Sequence, residues 1–233
     1  MSYRVAIYFA PDATTPLWLK AAQWLGRDAL TGKSYGDDIG GIARAEILEK
    51  SASARRYAFH ATIKSPMGLS PGKSEAELAG ALAAFAAANA PVAIGNLRLA
   101  RLDGFLALIP ADQPQALTDF AARVVEHFEP FRAEVSAADK LKRNTGGRLS
   151  PRHLELLDRY GYPYVMEQFQ FHMTLTDRLS DADGDRFEAA LREHFGPLAE
   201  ADTVLDRLSL YHEPAPSAPF TRGADFILTG SGQ

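Results

Sequence analysis

Tyr57-Ala58-Phe59-His60-Ala61-Thr62-Ile63-Lys64 and Phe169-Gln170-Phe171-His172-Met173-Thr174-Leu175-Thr176 are two versions of one pattern. Each sets a histidine and a threonine two residues apart in an apolar, strand-like run. Side chains on a strand alternate between its faces, so residues i and i+2 point the same way. In the first stretch Tyr57, Phe59, Ala61 and Ile63 share one face, and Ala58, His60, Thr62 and Lys64 the other. In the second, Phe169, Phe171, Met173 and Leu175 oppose Gln170, His172, Thr174 and Thr176. Each strand thus has an apolar face for a core and a polar face for something else. A solvated outer face would explain polarity, but it does not require His-x-Thr twice. Two such strands facing each other would gather two imidazoles and two hydroxyls in one cleft, a set that can hold a phosphate and move protons on both sides of it.

The sequence around the two stretches repeats as well. Arg4 to Phe9 reads as a strand, and Thr15-Pro16 opens a helix with Thr as N-cap and Pro at its first position. Gly26 to Gly41 is a long ordered loop and Ile42 to Ser51 a short helix. After the first motif strand, Tyr57 to Lys64, the capping box Ser74-Glu75-Ala76-Glu77 opens a helix carrying Leu78, Leu82 and Phe85. Strands are expected over Val92 to Arg101 and Phe105 to Ile109, with Asp103-Gly104 as the hairpin turn. Leu117, Phe120, Ala121, Val124, Val125 and Phe128 recur at helical spacing. Lys140 to Arg148 reads as a basic loop, and Ser150-Pro151 starts a helix ended by Gly161. Phe169 to Thr176 is the second motif strand. A helix through Phe187 to Phe195 follows it, then strands over Val204 to Tyr211 and Phe226 to Thr229. Both halves read motif strand, helix, strand, strand. We therefore expect an α+β fold by internal duplication: a single bilobal domain over 1–233, with approximate halves 1–112 and 113–229 and a frayed tail at 230–233. Two antiparallel sheets should flank a central cleft, with helices outside.

Composition narrows the function. The chain has 233 residues, 46% of them hydrophobic, with a formal charge of −4 and pI of about 5.9. Binders of long nucleic acids are usually basic, because neutralising phosphates drives that binding. The expected partner is therefore a small phosphodiester, with RNA a weaker candidate and neither DNA nor a membrane expected. With no cysteine there is no disulfide frame, thiolate metal site or Cys nucleophile. No apolar stretch approaches a membrane span, and the expected location is the cytoplasm.

Two H-x-T motifs, each on a strand and one per half, resemble the 2H phosphoesterase superfamily, which includes RNA cyclic phosphodiesterases and RNA 2′,5′-ligases. The segments Trp24 to Gly32, Tyr57 to Pro66 and Glu167 to Leu179 are more narrowly similar to a bacterial branch associated with phosphonate metabolism. The resemblance implies a metal-independent, cofactor-free cyclic phosphodiesterase. In it His60 and His172 act as general base and general acid, in an order left open, while Thr62 and Thr174 donate hydrogen bonds to phosphoryl oxygens. A ribose-based cyclic phosphate is then the attractive substrate. The alternatives are RNA end processing and a non-catalytic phosphate- or nucleotide-binding domain, although a pure binder needs no acid–base pair.

Further substrate-binding candidates surround the pair. Lys64 lies on the His60 face, with Thr176 as its mirror position. Arg143 and Arg148 sit in the basic segment beside Gly146-Gly147, where Arg can grip a phosphate with two hydrogen bonds. Arg27 is a weaker anion contact, and Tyr211 a ring that would stack on a ribose or base. His127, His153 and His194 fall on helix surfaces or ends. None of the remaining histidines has a His or acid at a ligand spacing, so no zinc site is expected. No G-x-x-x-x-G-K-[ST] loop is present.

Overall fold

The computed structural model, which describes residues 3–144, 147 and 149–231, alternates strands with helices. Its strands are β1 (Arg4–Phe9), β2 (Ala61–Met67), β3 (Val92–Leu102), β4 (Phe105–Pro110), β5 (Met173–Thr174), β6 (Asp202–Leu205), β7 (Arg207–Glu213) and β8 (Thr221–Ile227). The helices are α1 (Pro16–Leu25), α2 (Arg44–Lys50), α3 (Ala52–Tyr57), α4 (Glu75–Ala88), α5 (Gln115–His127), α6 (Ala137–Arg143), α7 (Pro151–Tyr160) and α8 (Asp181–Phe195). The strands pair antiparallel in the order β6-β3-β4-β5-β2-β1-β7-β8, so the fold is α+β, as expected. The two motif strands pair with each other, which joins the strands of both lobes into one ladder.

Read outward from its centre, the ladder is symmetric: β2, β1, β7 on one side and β5, β4, β3 on the other. The chain generates it with two copies of a strand, three helices, a strand, a helix and a strand. The first copy runs from β1 through α1, α2, α3, β2 and α4 to β3. The second runs from β4 through α5, α6, α7, β5 and α8 to β7, with the extra strand β6 inserted before β7. They divide at Asp103-Gly104, where both residues have positive φ (49° and 89°), the conformation of a tight hairpin turn. The last strand of each copy crosses to pair with the other copy's first strand, β3 with β4 and β7 with β1. The ladder also bends. β6 and β7 stand at its first and seventh places, yet only Asp206 links them, so Leu205 and Arg207 lie within about 7 Å of each other.

Local chemistry sets the helix ends. Thr15 accepts a hydrogen bond from the Trp18 N–H, Pro16 occupies the first helical position, and Gly26 ends α1 at φ 71°. The Ser74–Glu77 capping box closes on both sides. Helix α4 packs on β7 and β8, α5 on β2 and β3, and α8 on β3 and β4. Leu78, Leu82, Leu117, Phe120, Phe128 and Phe187 are fully buried there.

Several elements differ from the sequence expectation. Tyr57 ends helix α3, and the first motif strand starts at Ala61. The second shrinks to Met173–Thr174, because the side chain of Gln113 replaces a neighbouring strand upstream. Its carbonyl oxygen accepts from the Phe171 N–H at 2.7 Å and its amide donates to the Phe169 carbonyl at 3.0 Å. Part of the basic segment is helical (α6), and the strand expected over Val204 to Tyr211 is two strands serving opposite parts of the ladder.

The pairing of β1 with β2 carries a β-bulge. Tyr8 lies opposite Thr62, but Ile7 lies opposite Lys64 rather than Ile63. The extra residue reverses the alternation, so Lys64 turns to the helix-covered face with Ile7. There its ammonium, almost fully buried, donates to the Val125 carbonyl at 2.9 Å and to Glu129 at 2.7 Å. Removing one partner of such a pair leaves an uncompensated buried charge. We expect Glu129→Gln to lower stability by about 2–3 kcal/mol in urea denaturation, discounted for the partial exposure of Glu129. The double variant Lys64→Met/Glu129→Gln should recover most of that loss.

Candidate active site

Ala61 lies directly opposite Met173, and both side chains are fully buried on the helix side. Continued by one residue each way, this register sets His60 opposite Thr174 and Thr62 opposite His172. The four polar side chains form a quartet on the cleft face, with the histidines on one diagonal. Diagonal neighbours on antiparallel strands stand about 7–8 Å apart, which leaves a gap the size of a phosphate group between two inward-pointing imidazoles. All four residues line one cavity of about 520 Å³.

Each imidazole is anchored in the same way. His60 Nδ1 lies 2.9 Å from the carbonyl oxygen of Ala58, and His172 Nδ1 lies 2.8 Å from that of Gln170. A carbonyl only accepts, so Nδ1 carries the proton in both rings and Nε2 is left to the cleft. His60 Nε2 meets Thr62 Oγ1 at 3.1 Å. Ala58 holds φ 64° and ψ −179°, a conformation costly for a residue with a Cβ, and this turn after α3 presents its carbonyl to His60. Tyr8 stacks on the His60 ring with centroids 3.7 Å apart, while Phe105 packs more loosely against His172 at 5.9 Å.

Burial lowers the pKa of both histidines. That of His60 falls to about 4, with the backbone hydrogen bond to Ala58 opposing the shift and the neighbouring His172 adding to it. That of His172 falls less far by the same burial, opposed by its bond to Gln170. Both imidazoles are therefore mostly neutral at pH 7.

The other candidates separate. Arg143, at the end of α6, lines the cavity. Thr176 also lies in its wall, but it is fully buried and its hydroxyl oxygen accepts from the Leu106 N–H at 2.9 Å, a structural use. Lys64 is withdrawn by the bulge, and Ser65 takes its place at the cavity. Arg27 does not reach the cavity, because its guanidinium is spent on backbone carbonyls, that of Phe220 at 2.6 Å being the closest. Tyr211 is fully buried beneath Tyr8 and His60, and its hydroxyl donates to the Phe59 carbonyl at 3.4 Å, so it stacks on protein rather than on ligand. Arg148 lies outside the described residues. Among the weaker histidines, His153 completes the cap of α7 and His194 meets the Lys20 carbonyl at 2.8 Å.

Sequence reasoning missed Arg4, Tyr8, Tyr57, Phe105, Tyr162 and Asp177, which share the cavity wall. Arg4 and Tyr8 sit at alternate positions of β1, a signal available only once β1 is known to flank β2. Beyond His172 the groove continues into a second cavity of about 460 Å³, where Tyr164, Gln168, Gln170 and Arg178 join Tyr162 and Phe105.

The sequence model of a family described as "Protein of unknown function (DUF1045)" matches residues 62–221. The chain is 35% identical over 235 residues to a protein of Janthinobacterium sp. (strain Marseille) named ribose 1,5-bisphosphate phosphokinase PhnN, covering 99% of this chain and 52% of that protein. A protein of the same name from Laribacter hongkongensis (strain HLHK9) is 33% identical over 218 residues, covering 93% of this chain and 50% of that one. The chain thus spans about half the length of these curated relatives. Among solved structures, TT0787 of Thermus thermophilus aligns over 98% of this chain and all of its own, at 13% identity and a TM-score of 0.48. E. coli LigT complexed with NADP+ aligns over 98% of both chains, at 13% identity and a TM-score of 0.38.

The low pKa of His60 has a consequence for stability. Above pH 6.5, its ordinary value, the ring is neutral whether the chain is folded or not. Between 6.5 and about 4 the unfolded chain takes up a proton that the folded one refuses, so stability falls as pH falls; below about 4 this loss is complete. Going from pH 7 to pH 4.5 should therefore lower the Tm of the wild type more than that of His60→Gln. Equal losses would show that His60 titrates normally.

Proposed function

We propose that this chain, which belongs to the family described as a protein of unknown function (DUF1045), is a metal-independent phosphodiesterase that opens a small cyclic phosphodiester. The observation that carries this reading is the diagonal quartet, with two imidazoles whose Nδ1 atoms are tied to backbone carbonyls and whose Nε2 atoms are turned to one cavity. Such a pair is suited to proton transfer on both sides of one phosphorus, and the expected resemblance to 2H phosphoesterases leads to the same chemistry.

In this mechanism a water attacks phosphorus in line with the leaving ring oxygen. His60, with the more depressed pKa, accepts the water's proton on Nε2. As the bond between phosphorus and the ring oxygen breaks, His172 protonates that oxygen from Nε2. One water is consumed, and a phosphomonoester and a free hydroxyl result. The substrate's negative charge raises the proton affinity of the imidazoles beside it, which favours the charged form His172 needs. Thr62 and Thr174 donate to the non-bridging oxygens, where charge builds as phosphorus becomes five-coordinate. The Thr62 hydroxyl lies 3.1 Å from His60 Nε2, so donating to the phosphate requires it to turn away from the imidazole.

A ribose-based cyclic phosphate is the favoured substrate. The relatives' name describes a kinase acting on ribose 1,5-bisphosphate, a sugar with a phosphomonoester on C1. Opening a ribosyl 1,2-cyclic phosphate at O2 would leave a phosphomonoester on C1. The kinase step itself is not the reading favoured for this chain. The run from Gly26 to Ser34, Gly-x5-Gly-Lys-Ser, has one residue too many for a phosphate-binding loop. It also follows helix α1 instead of linking a strand to a helix.

Ribosyl 1,2-cyclic phosphate and nucleoside 2′,3′-cyclic phosphates should be assayed side by side. We expect turnover of the ribosyl compound with a bell-shaped pH dependence of kcat/KM. His60→Ala and His172→Ala should each reduce kcat/KM by about 10²–10⁴-fold. Turnover of the nucleotides alone would redirect the reading to RNA ends, and wild-type rates in both single variants would remove the acid–base mechanism.

A further inference from the structure

The cavity has a second end, chemically unlike the histidine quartet. Tyr57 leads to it: its ring centroid is 6.5 Å from that of His60, its hydroxyl accepts from Arg56 at 3.4 Å, and it shares the cavity wall with Arg4 and Arg143. Tyr162 closes the far side, with the Arg143 guanidinium carbon 5.7 Å from its ring centroid. All four residues line the catalytic cavity. A neighbouring cavity of about 420 Å³ begins on the other side of the two arginines, so this end has room for a substituent.

The charge here does not balance. Arg4 is compensated by Glu213, which also pairs with Arg56. Among the described residues Arg143 has no such partner: its acidic neighbour Asp139 accepts from Ser136 at 2.7 Å and lies 3.9 Å from Lys142. Burial pushes the pKa of the Arg143 guanidinium down, partly opposed by Tyr162, while the like charge of Arg4 adds to the shift. Guanidinium is nonetheless always charged in proteins. A half-buried cation beside a second cation, with two phenols at hand, is stabilised by an anion. Tyr162, its pKa raised by burial to about 12, keeps its proton and can donate to one.

We propose that Arg143, with Arg4, Tyr57 and Tyr162, forms a second anion subsite that takes a terminal phosphomonoester of the substrate. The preferred class is then a cyclic phosphate of a sugar that carries another phosphate at its far end. This rests on the cyclic phosphodiesterase reading for the reacting group, but the subsite can be tested without it. A phosphate held here would fix the sugar across Tyr57 and present the ring phosphate to the quartet, turning remote binding energy into orientation.

The test compares ribosyl 1,2-cyclic phosphate with and without a 5-phosphate, and measures ribose 5-phosphate binding by calorimetry. The wild type should prefer the 5-phosphorylated substrate by about 10- to 100-fold in kcat/KM, mainly through KM, as expected for hydrogen bonds to a charged group. Arg143→Gln should bring that ratio close to one and abolish ribose 5-phosphate binding. Arg143→Lys, which keeps the charge but loses the two-pronged grip, should fall between. Equal handling of both substrates by the wild type, an equal loss on both in Arg143→Gln, or ribose 5-phosphate binding indifferent to Arg143 would each overturn the subsite. If neither cyclic phosphate turns over while ribose 5-phosphate binds through Arg143, the subsite stands and the catalytic reading falls.

Discussion

One backbone pairing, Ala61 against Met173, joins the two halves of the ladder and sets the spacing of the four polar side chains that face the cleft. A shift by one residue would turn the histidines into the core and bring apolar side chains to the surface, because the side-chain period of a strand is two. The register is protected by what lies behind it. Ala61, Met173, Phe59 and Phe171 are buried with the helices, so the apolar faces of both strands fix which way the polar faces look. The geometry of the candidate site and core packing are thus one constraint expressed on opposite sides of the same strands.

The exchange of the last strand between repeats reinforces that constraint. β3 completes the side that holds β5, and β7 the side that holds β2, so neither repeat finishes its own part of the ladder. The α1 end of the first repeat is tied in as well, since the Trp24 indole donates to the Leu175 carbonyl at 2.9 Å, just past the second motif strand. Both motif histidines are then oriented by the carbonyl two residues upstream, one from a strained turn after α3 and one from a segment held by Gln113. The symmetry stops at the rings' surroundings. Tyr8 stacks closely on His60, whereas Phe105 stands further from His172, and the more enclosed imidazole is the one whose proton affinity falls further.

The α+β fold, the hairpin at Asp103-Gly104, the caps at Thr15, Ser74 and Ser150, and the paired His-x-Thr faces were legible in the sequence because each is a local rule. Capping needs a side chain within three residues, a tight hairpin needs two residues that tolerate positive φ, and a strand face needs only alternation. The same rule failed at Lys64, because a bulge is a property of two strands in register and no single-strand pattern contains it. Tyr211 and Arg27 looked like ligand contacts because their types suit ligands. Their contacts with Tyr8, the Phe59 carbonyl and the Phe220 carbonyl depend on segments about 150–200 residues away in the chain.

Read alone, the sequence singles out the residues of the candidate site: His60, Thr62, His172 and Thr174 stand out by type, spacing and repetition, and strand alternation puts each pair on one face. Packing in three dimensions adds that the four meet across one ladder, that Nε2 of each imidazole is the nitrogen left to the cavity, and that Arg143 with Arg4, not Lys64, lines the same cavity with positive charge. The physical reason is one of range. Alternation and capping act over a few neighbouring residues and can be read from them. Register, bulges and the pairing of charges are settled between distant segments, once the core has chosen how they pack.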